Sequence, residues 1–164
     1  MTLEIGTVKL EMDEIAERLA AAFAGELVDV RVQEPDTVVA RLDGAKLKGV
    51  ARRLKELPEL AYETLNWIAA VDLGAQLESV YNVYSWHTNT WLELHVAVPR
   101  AKAELDTVTD IWPAADWHER EAWDMMGIRY LGHPDLRRIL LKDDFVGHPL
   151  RKDYVDLAEN HPHA

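Results

Sequence analysis

Residues 65–98, LNWIAAVDLGAQLESVYNVYSWHTNTWLELHVAV, decide the fold. Three stretches within them, 65–71, 77–86 and 90–98, are rich in β-branched and aromatic residues, which favour strands. In the last stretch the aliphatic residues Leu92, Leu94, Val96 and Val98 alternate with Trp91, Glu93, His95 and Ala97, so one face can pack on a core while the other meets water or a partner. The link at 86–89 suits an antiparallel hairpin.

Two helices and a second hairpin are predicted upstream. Apolar residues recur at three- and four-residue steps from Met12 to Phe23 and from Ala45 to Leu57, the pattern of amphipathic helices. Residues 27–32 and 37–42 are typical of short strands joined by a turn at Glu34-Pro35-Asp36. The basic residues of the second helix are more simply explained as a solvated face than as an anion site.

Downstream of Pro99 we expect a short helical segment leading to Trp112-Pro113. Asp116 with Glu119 three positions later resembles a capping box, which predicts a helix from Trp117 to about Met126. From residue 132 onward no period is sustained and prolines recur, which indicates an extended arm. The sequence therefore predicts an α+β fold, a mostly antiparallel sheet with helices on one side, followed by an extended C-terminal arm.

The predicted organisation is a single α+β domain at residues 1–131 and a partner-docking arm at residues 132–164. Proline and glycine shape the arm twice, at Gly132-His133-Pro134 and at Gly147-His148-Pro149, each followed by a basic pair. Proline holds the preceding histidine extended and glycine permits a sharp bend. The arm offers little periodic apolar surface, so we expect it to become ordered against a partner and not by itself.

Composition excludes several classes of protein. Hydrophobic residues make up 48% and charged residues 29% of the chain, as in ordinary globular proteins. The formal charge of -11 disfavours nucleic acid and anionic lipid as partners. No apolar run is long enough to span a bilayer, and the start of the chain lacks the features of a signal peptide, so we expect membrane association only through partners. The absence of cysteine excludes thiolate-bound clusters and disulfides.

The stretch from Trp117 to Tyr154 carries the most specific pattern. It contains Glu119-Arg120-Glu121, then Asp124-Met125-Met126 after two residues, His133 after six more, Arg137, and Ile139. Together with Val-Thr-Asp-Ile-Trp-Pro at 108–113 and Gly-His-Pro-Leu-Arg-Lys-Asp-Tyr at 147–154, it resembles the signature of the C-subunit family of complex I (NADH:quinone oxidoreductase), the respiratory-chain NADH dehydrogenase 30 kDa subunit.

That resemblance implies a cofactor-free subunit of the peripheral arm of a proton-translocating complex, a scaffold for the cluster-bearing subunits near the quinone site. Its partners would be other complex I subunits, chiefly the D subunit and neighbouring cluster-bearing subunits, which would hold the iron–sulfur clusters and flavin. It would lie on the cytoplasmic side of the cell membrane as a peripheral part of the complex. The chain itself would have no catalytic, cofactor-binding or metal residues.

The charged residues of the signature and of the arm are the candidate subunit interface. Three consecutive charges beside Trp117 and Trp123 suggest that this part of the helix binds loop backbone or another chain. The alternative is ordinary surface ion pairing, in which Arg120 and Asp124 share one side of the helix. The candidate interface residues are Glu119, Arg120, Glu121, Asp124, His133, Arg137, Arg138, His148, Arg151, Lys152 and Asp153.

Two other functions remain open on the sequence. Related subunits occur in membrane-bound energy-converting hydrogenases and in complexes that use other electron donors. An independent metal-dependent hydrolase would use Glu119, Glu121, Asp124 and His133, but His118-Glu119 lacks the second histidine of the zinc pattern and the chain has no nucleotide-binding glycine motif.

Overall fold

The computed structural model describes residues 11–33 and 35–157 of the 164-residue chain. The helices and strands follow one another as α1 (Met12–Ala22), β1 (Leu27–Gln33), β2 (Thr37–Asp43), α2 (Leu47–Glu56), β3 (Thr64–Asp72), β4 (Gln76–Ser85), β5 (Thr90–Pro99), β6 (Glu104–Asp106), α3 (Ala115–Met126) and β7 (Arg129–Leu131). Both predicted hairpins and both upstream helices are confirmed to within a few residues. Glu34, in the first predicted turn, lies outside the described residues.

The main sheet has five strands in the order β1-β2-β5-β4-β3. Three of its four strand pairs are antiparallel, which confirms the mostly antiparallel sheet, and β2 pairs with β5 in parallel. The register places Leu92 of β5 opposite Val38 of β2 and Val83 of β4. Rows of inward side chains therefore run straight across the sheet.

The core lies on one face of this sheet. Leu92, Leu94 and Val96 are fully buried among side chains from all three helices, whereas Glu93 and His95 between them lie outside that cluster. The helices therefore cover one side of the sheet, as the sequence predicted. Each aliphatic side chain that is fully buried here contributes roughly 1.5–3 kcal/mol to stability.

The segment between β5 and α3 differs from the prediction. The expected helical segment is only a short 3₁₀ turn at Arg100–Lys102, and the chain then enters β6. β6 pairs in parallel with β7, which follows α3, to form a separate two-stranded sheet. Three-residue strands are too short to show a period in sequence, and their pairing depends on the path of the chain through α3.

The predicted capping box at the start of α3 is wrong. The helix starts at Ala115, which places Asp116 in its first turn, and no side chain caps it. Glu119 instead accepts hydrogen bonds from the preceding loop. Gly127 ends the helix, with a φ of 77° that a glycine adopts without strain. Residues 132–157 form the described part of the arm and contain turns but no helix or strand.

Candidate subunit interface

The last two turns of α3 bind the arm through Asp124, whose side chain is fully buried. One carboxylate oxygen of Asp124 accepts the backbone N–H groups of three consecutive arm residues at 2.9–3.0 Å, those of Ile139, Leu140 and Leu141. The other oxygen accepts a guanidinium N–H of Arg138 at 2.5 Å. A single side chain thus fixes the backbone of one complete arm turn to the helix.

Burial and hydrogen bonding act in opposite directions on Asp124. Burial by itself would raise the pKa of Asp124, but the Leu141 N–H, the Arg138 guanidinium and the two further N–H groups outweigh it and hold that pKa below its usual range. The carboxylate of Asp124 is therefore charged at neutral pH. Charge-assisted hydrogen bonds of this kind are stronger than neutral ones.

Arg138 lies at the centre of the folded arm, with its side chain about 10% exposed. Besides Asp124, its guanidinium donates to the carbonyl oxygens of Phe145 at 2.7 Å and Gly147 at 3.0 Å. The same group lies 5.6 Å from the centre of the Trp123 ring, within the range of a cation–π contact. Arg138 therefore joins the two halves of the arm to each other and to α3.

Arg120 and Glu119 bind loop backbone, one of the two arrangements that the sequence left open. Arg120 donates to the carbonyl oxygens of Arg137 at 3.2 Å and Arg138 at 3.0 Å, and it does not pair with Asp124. Glu119 is fully buried and accepts the Val108 N–H at 2.9 Å.

The hydroxyl of Thr107 also donates to Glu119, at 2.6 Å. Burial raises the pKa of Glu119 to about 7, against the hydrogen bonds from Thr107 and Val108, which lower it. The charge of Glu119 therefore changes near neutral pH.

The two histidines before proline fold back onto α3. The fully buried His133 ring accepts the Asp135 N–H at Nδ1, at 3.0 Å, and its Nε2 lies 3.1 Å from the Asp116 carbonyl oxygen. His148 places Nδ1 3.0 Å from the carbonyl oxygen of Asp124. Gly127 allows that approach, because a Cβ there would lie 2.6 Å from the His148 ring.

A second fastening ties the end of the arm to the sheet. The buried carboxylate of Asp72, at the end of β3, accepts the Lys152 N–H at 2.8 Å and pairs with Arg100. The Lys152 N–H and the Arg100 guanidinium hold the pKa of Asp72 well below its usual range. Arg100 also pairs with Asp153 at 2.8 Å. Sequence analysis missed Asp72 and Arg100, because neither lies in a motif.

The four residues considered for hydrolase chemistry do not form one site. His133 Nε2 lies 4.0 Å from Glu119 Oε2, but Asp124 is occupied by the arm and Glu121 is exposed. Within residues 11–33 and 35–157, no group of three or more His, Asp or Glu side chains is placed to hold a metal ion.

Comparison with known proteins identifies the family. Residues 40–160 match the family model of the respiratory-chain NADH dehydrogenase 30 kDa subunit. The chain belongs to this family.

Two curated members of the family are similar over most of their length. The NADH-quinone oxidoreductase C subunit of Geobacter sulfurreducens is 45% identical over 143 residues, covering 84% of this chain and 85% of the relative. The corresponding C subunit of Acidothermus cellulolyticus is 40% identical over 151 residues, covering 87% and 77%.

Solved structures share the fold. A chain of an archaeal membrane-bound sulfane sulfur reductase, described as a respiratory membrane complex, superimposes with a TM-score of 0.76 at 26% identity and covers 90% of this chain and 87% of that one. A trypsin-resistant fragment of Nqo5, residues 1–134, superimposes with a TM-score of 0.63 at 24% identity, covering 77% of this chain and all of the fragment.

In this 30 kDa-family subunit, most of the predicted interface residues are used inside the chain. Those buried or nearly so against the body are Glu119, Arg120, Asp124, His133 and Arg138, and those half-buried are His148 and Arg151. Four remain exposed, namely Glu121, Arg137, Lys152 and Asp153. Whether these four contact a partner stays a prediction.

The exposed apolar side chains of the arm were missed by the sequence analysis. Leu140, Val146, Leu150 and Val155 are 45–74% exposed, and Trp117 at the start of α3 is 63% exposed. Large apolar side chains exposed in one region mark interaction surfaces. The sequence did contain a signal for this surface. Leucine and valine occur in a stretch without helical or strand periodicity, which gives no reason to place them in the core.

Proposed function

We propose that this chain is a C-type subunit in the peripheral arm of a proton-translocating NADH:quinone oxidoreductase, where it positions cluster-bearing subunits near the quinone site. The observation that carries the proposal is the arm itself. Asp124 and Arg138 fasten it firmly to α3, yet it presents Leu140 and Leu150 to solvent at 62% and 59% exposure. A surface that is held rigid and apolar is suited to docking, because little ordering entropy is lost on binding.

The partners are other subunits of the same respiratory complex. We assign the arm chiefly to the D subunit and to neighbouring cluster-bearing subunits, with the exposed charges Arg137, Lys152 and Asp153 around the apolar contacts. Apolar centres with polar rims are the usual anatomy of interfaces. The redox groups, iron–sulfur clusters and flavin, then belong to those partners.

The location follows from the assembly. No helix among the described residues is long and apolar enough to cross a bilayer. We place the subunit on the cytoplasmic side of the cell membrane, held there through the complex.

A second candidate is the equivalent subunit of a complex with another electron donor, such as a membrane-bound energy-converting hydrogenase. The likeness to a chain of a sulfane sulfur reductase favours it, since one chain of that respiratory complex shares this fold at a TM-score of 0.76. Companion subunits distinguish the two, because an NADH-dependent complex carries flavin subunits and a hydrogenase carries a nickel-ligating subunit.

The test is native purification of the tagged chain from membranes of its own host, with mass spectrometry of the companions and assay of NADH:quinone reductase activity. The variant Leu140→Ser/Leu150→Ser is expected to lower incorporation, since each leucine buried on docking contributes on the order of 2 kcal/mol. Val28→Ser is the matched control, because Val28 is 53% exposed and lies on β1, outside the arm. Normal incorporation of the double variant, or the absence of respiratory subunits, contradicts the proposal.

A further inference from the structure

The two edges of the five-stranded sheet are built differently. β1, at one edge, carries Asp29 and Arg31 and is interrupted by an irregularity between Val28 and Arg31. Asp29 has a φ of 53°, which turns the strand out of regular geometry. Charges and bulges are the usual means by which a protein prevents another chain from pairing with an exposed edge.

β3, at the other edge, has one irregularity between Leu65 and Trp67 and none of these features from Trp67 to Val71. Residues 65–71, LNWIAAV, contain no charge and no proline, and the pairing with β4 is regular from Trp67 to Asp72. Within the part of the chain that the structure describes, no strand lies beside the outer edge of β3. Its outward N–H and C=O groups are therefore available to pair with another strand.

Apolar surface lies on both sides of this edge. Between β3 and α3 runs a half-open groove of about 210 Å³, which is lined by Glu121 and by the apolar residues Ile68, Ala69, Ala70, Ala122, Met125, Met126 and Leu150. The alanines leave room for incoming side chains, and methionine adapts its shape to what packs on it. On the opposite face of the sheet, Val71 is 38% exposed and Trp67 half-buried.

We propose that the outer edge of β3 accepts an extended segment of a neighbouring subunit as a sixth strand of the sheet. The segment is a proline-free stretch of roughly six to nine residues whose alternate apolar side chains enter the groove beside α3, while its backbone pairs with β3. The proposal rests on the proposed function, since the occupant comes from the same assembly.

A second copy of this chain is the poorer occupant. Each copy carries a formal charge of -11, so two copies placed edge to edge repel one another. The groove lies on one flank of the edge, whereas the opposite flank carries Trp67 and Val71, so the site suits a segment whose larger apolar side chains lie on one side.

Amide hydrogen exchange of the peptide covering β3, compared between the isolated chain and the natively purified complex, tests the pairing directly. Alternate amides of β3 are expected to exchange rapidly in the isolated chain and to slow by about a hundredfold or more in the complex. Unchanged exchange in the complex overturns the proposal. Another outcome is that the isolated chain elutes as a dimer whose β3 amides already exchange slowly. That result assigns the edge to a second copy and also overturns the proposal.

Two lysine variants provide the matched test. Ala69→Lys places a charge on the open edge and is expected to lower incorporation about tenfold or more. Val28→Lys places the same charge at a 53%-exposed position on β1, and normal incorporation is expected.

Melting of both isolated variants shows whether each still folds, and Val71→Lys replaces Ala69→Lys if the latter does not. Equal incorporation of the β1 and β3 variants overturns the edge proposal alone. Failure of the unaltered chain to purify with respiratory subunits overturns the proposed function instead.

Discussion

At the scale of single residues, Arg120 and Asp124 show what local spacing reveals and what it does not. Their four-residue separation correctly placed both on one side of a helix. The structure turns both toward the arm, where Arg120 binds backbone carbonyls and Asp124 binds backbone N–H groups. Spacing along a helix predicts neighbours on that helix only, so a partner 15 residues further along the chain is invisible to it.

Glu119 gives a prediction about pH. Burial raises its pKa from the ordinary 4.5 to about 7, so the folded protein holds a proton that the unfolded chain loses between these values. Unfolding then releases a proton, and a rise in pH across this window favours the unfolded state. The contribution of Glu119 to the free energy of unfolding falls between pH 4.5 and 7 and is constant above.

The variant Glu119→Gln removes this titration. We expect it to gain stability relative to the unaltered protein as pH rises from about 4.5 to about 8, by up to about 3 kcal/mol. Urea unfolding of both proteins at the two pH values measures the change, and Glu121→Gln, at an exposed neighbouring position, is the control. If the difference in the free energy of unfolding between the two proteins does not change with pH, Glu119 does not hold a proton in the folded state.

At the scale of elements, most of the sheet was predictable because its strands are long. β3, β4 and β5 hold nine or ten residues each, enough to show alternation or a β-rich composition. The parallel pairing of β2 with β5 was not predictable, because it joins strands about 50 residues apart that no short turn connects. β6 and β7 were not predicted because they are short and because they are joined through α3 and not by a short turn.

The junction between α3 and the arm gives a prediction for Asp124→Asn. The amide can no longer accept as strongly from three N–H groups and leaves the nearly buried Arg138 without its charge partner. Breaking a buried pair from one side costs about 3–5 kcal/mol, so a large loss in the free energy of unfolding is expected. Asp143→Asn, on an exposed arm residue, is the matched control. If the free energy of unfolding falls by less than about 1 kcal/mol, Asp124 contributes no more than a surface ion pair, and the structural role assigned to it at the junction is wrong.

At the scale of the whole molecule, the described arm lies along the body from α3 to the end of β3. Asp124 holds residues 139–141 and Asp72 holds Lys152, so the arm is fastened near both of its ends. The predicted division into a domain at 1–131 and an arm at 132–164 stays a prediction. The expectation that the arm needs a partner to become ordered rested on its lack of periodic apolar residues. A search for apolar periodicity cannot detect an arm that is held by hydrogen bonds to buried polar groups.

Truncation after Leu131 therefore has a definite expected result. It removes every arm partner of Asp124, which is fully buried, and of Arg120, which is 8% exposed. The truncated chain loses these charge-assisted hydrogen bonds, which contribute about 1.5–3 kcal/mol each, and together they approach the roughly 5–15 kcal/mol that stabilises a typical domain. We expect the truncated chain to melt far below the full chain, or without a cooperative transition, and to be absent from the membrane complex. Truncation after Leu157, which keeps every described contact of the arm, is the matched control and is expected to melt like the full chain. An unchanged melting temperature after truncation at Leu131, with loss of incorporation alone, would mean that the arm serves docking only and that its contacts with α3 add little to folding.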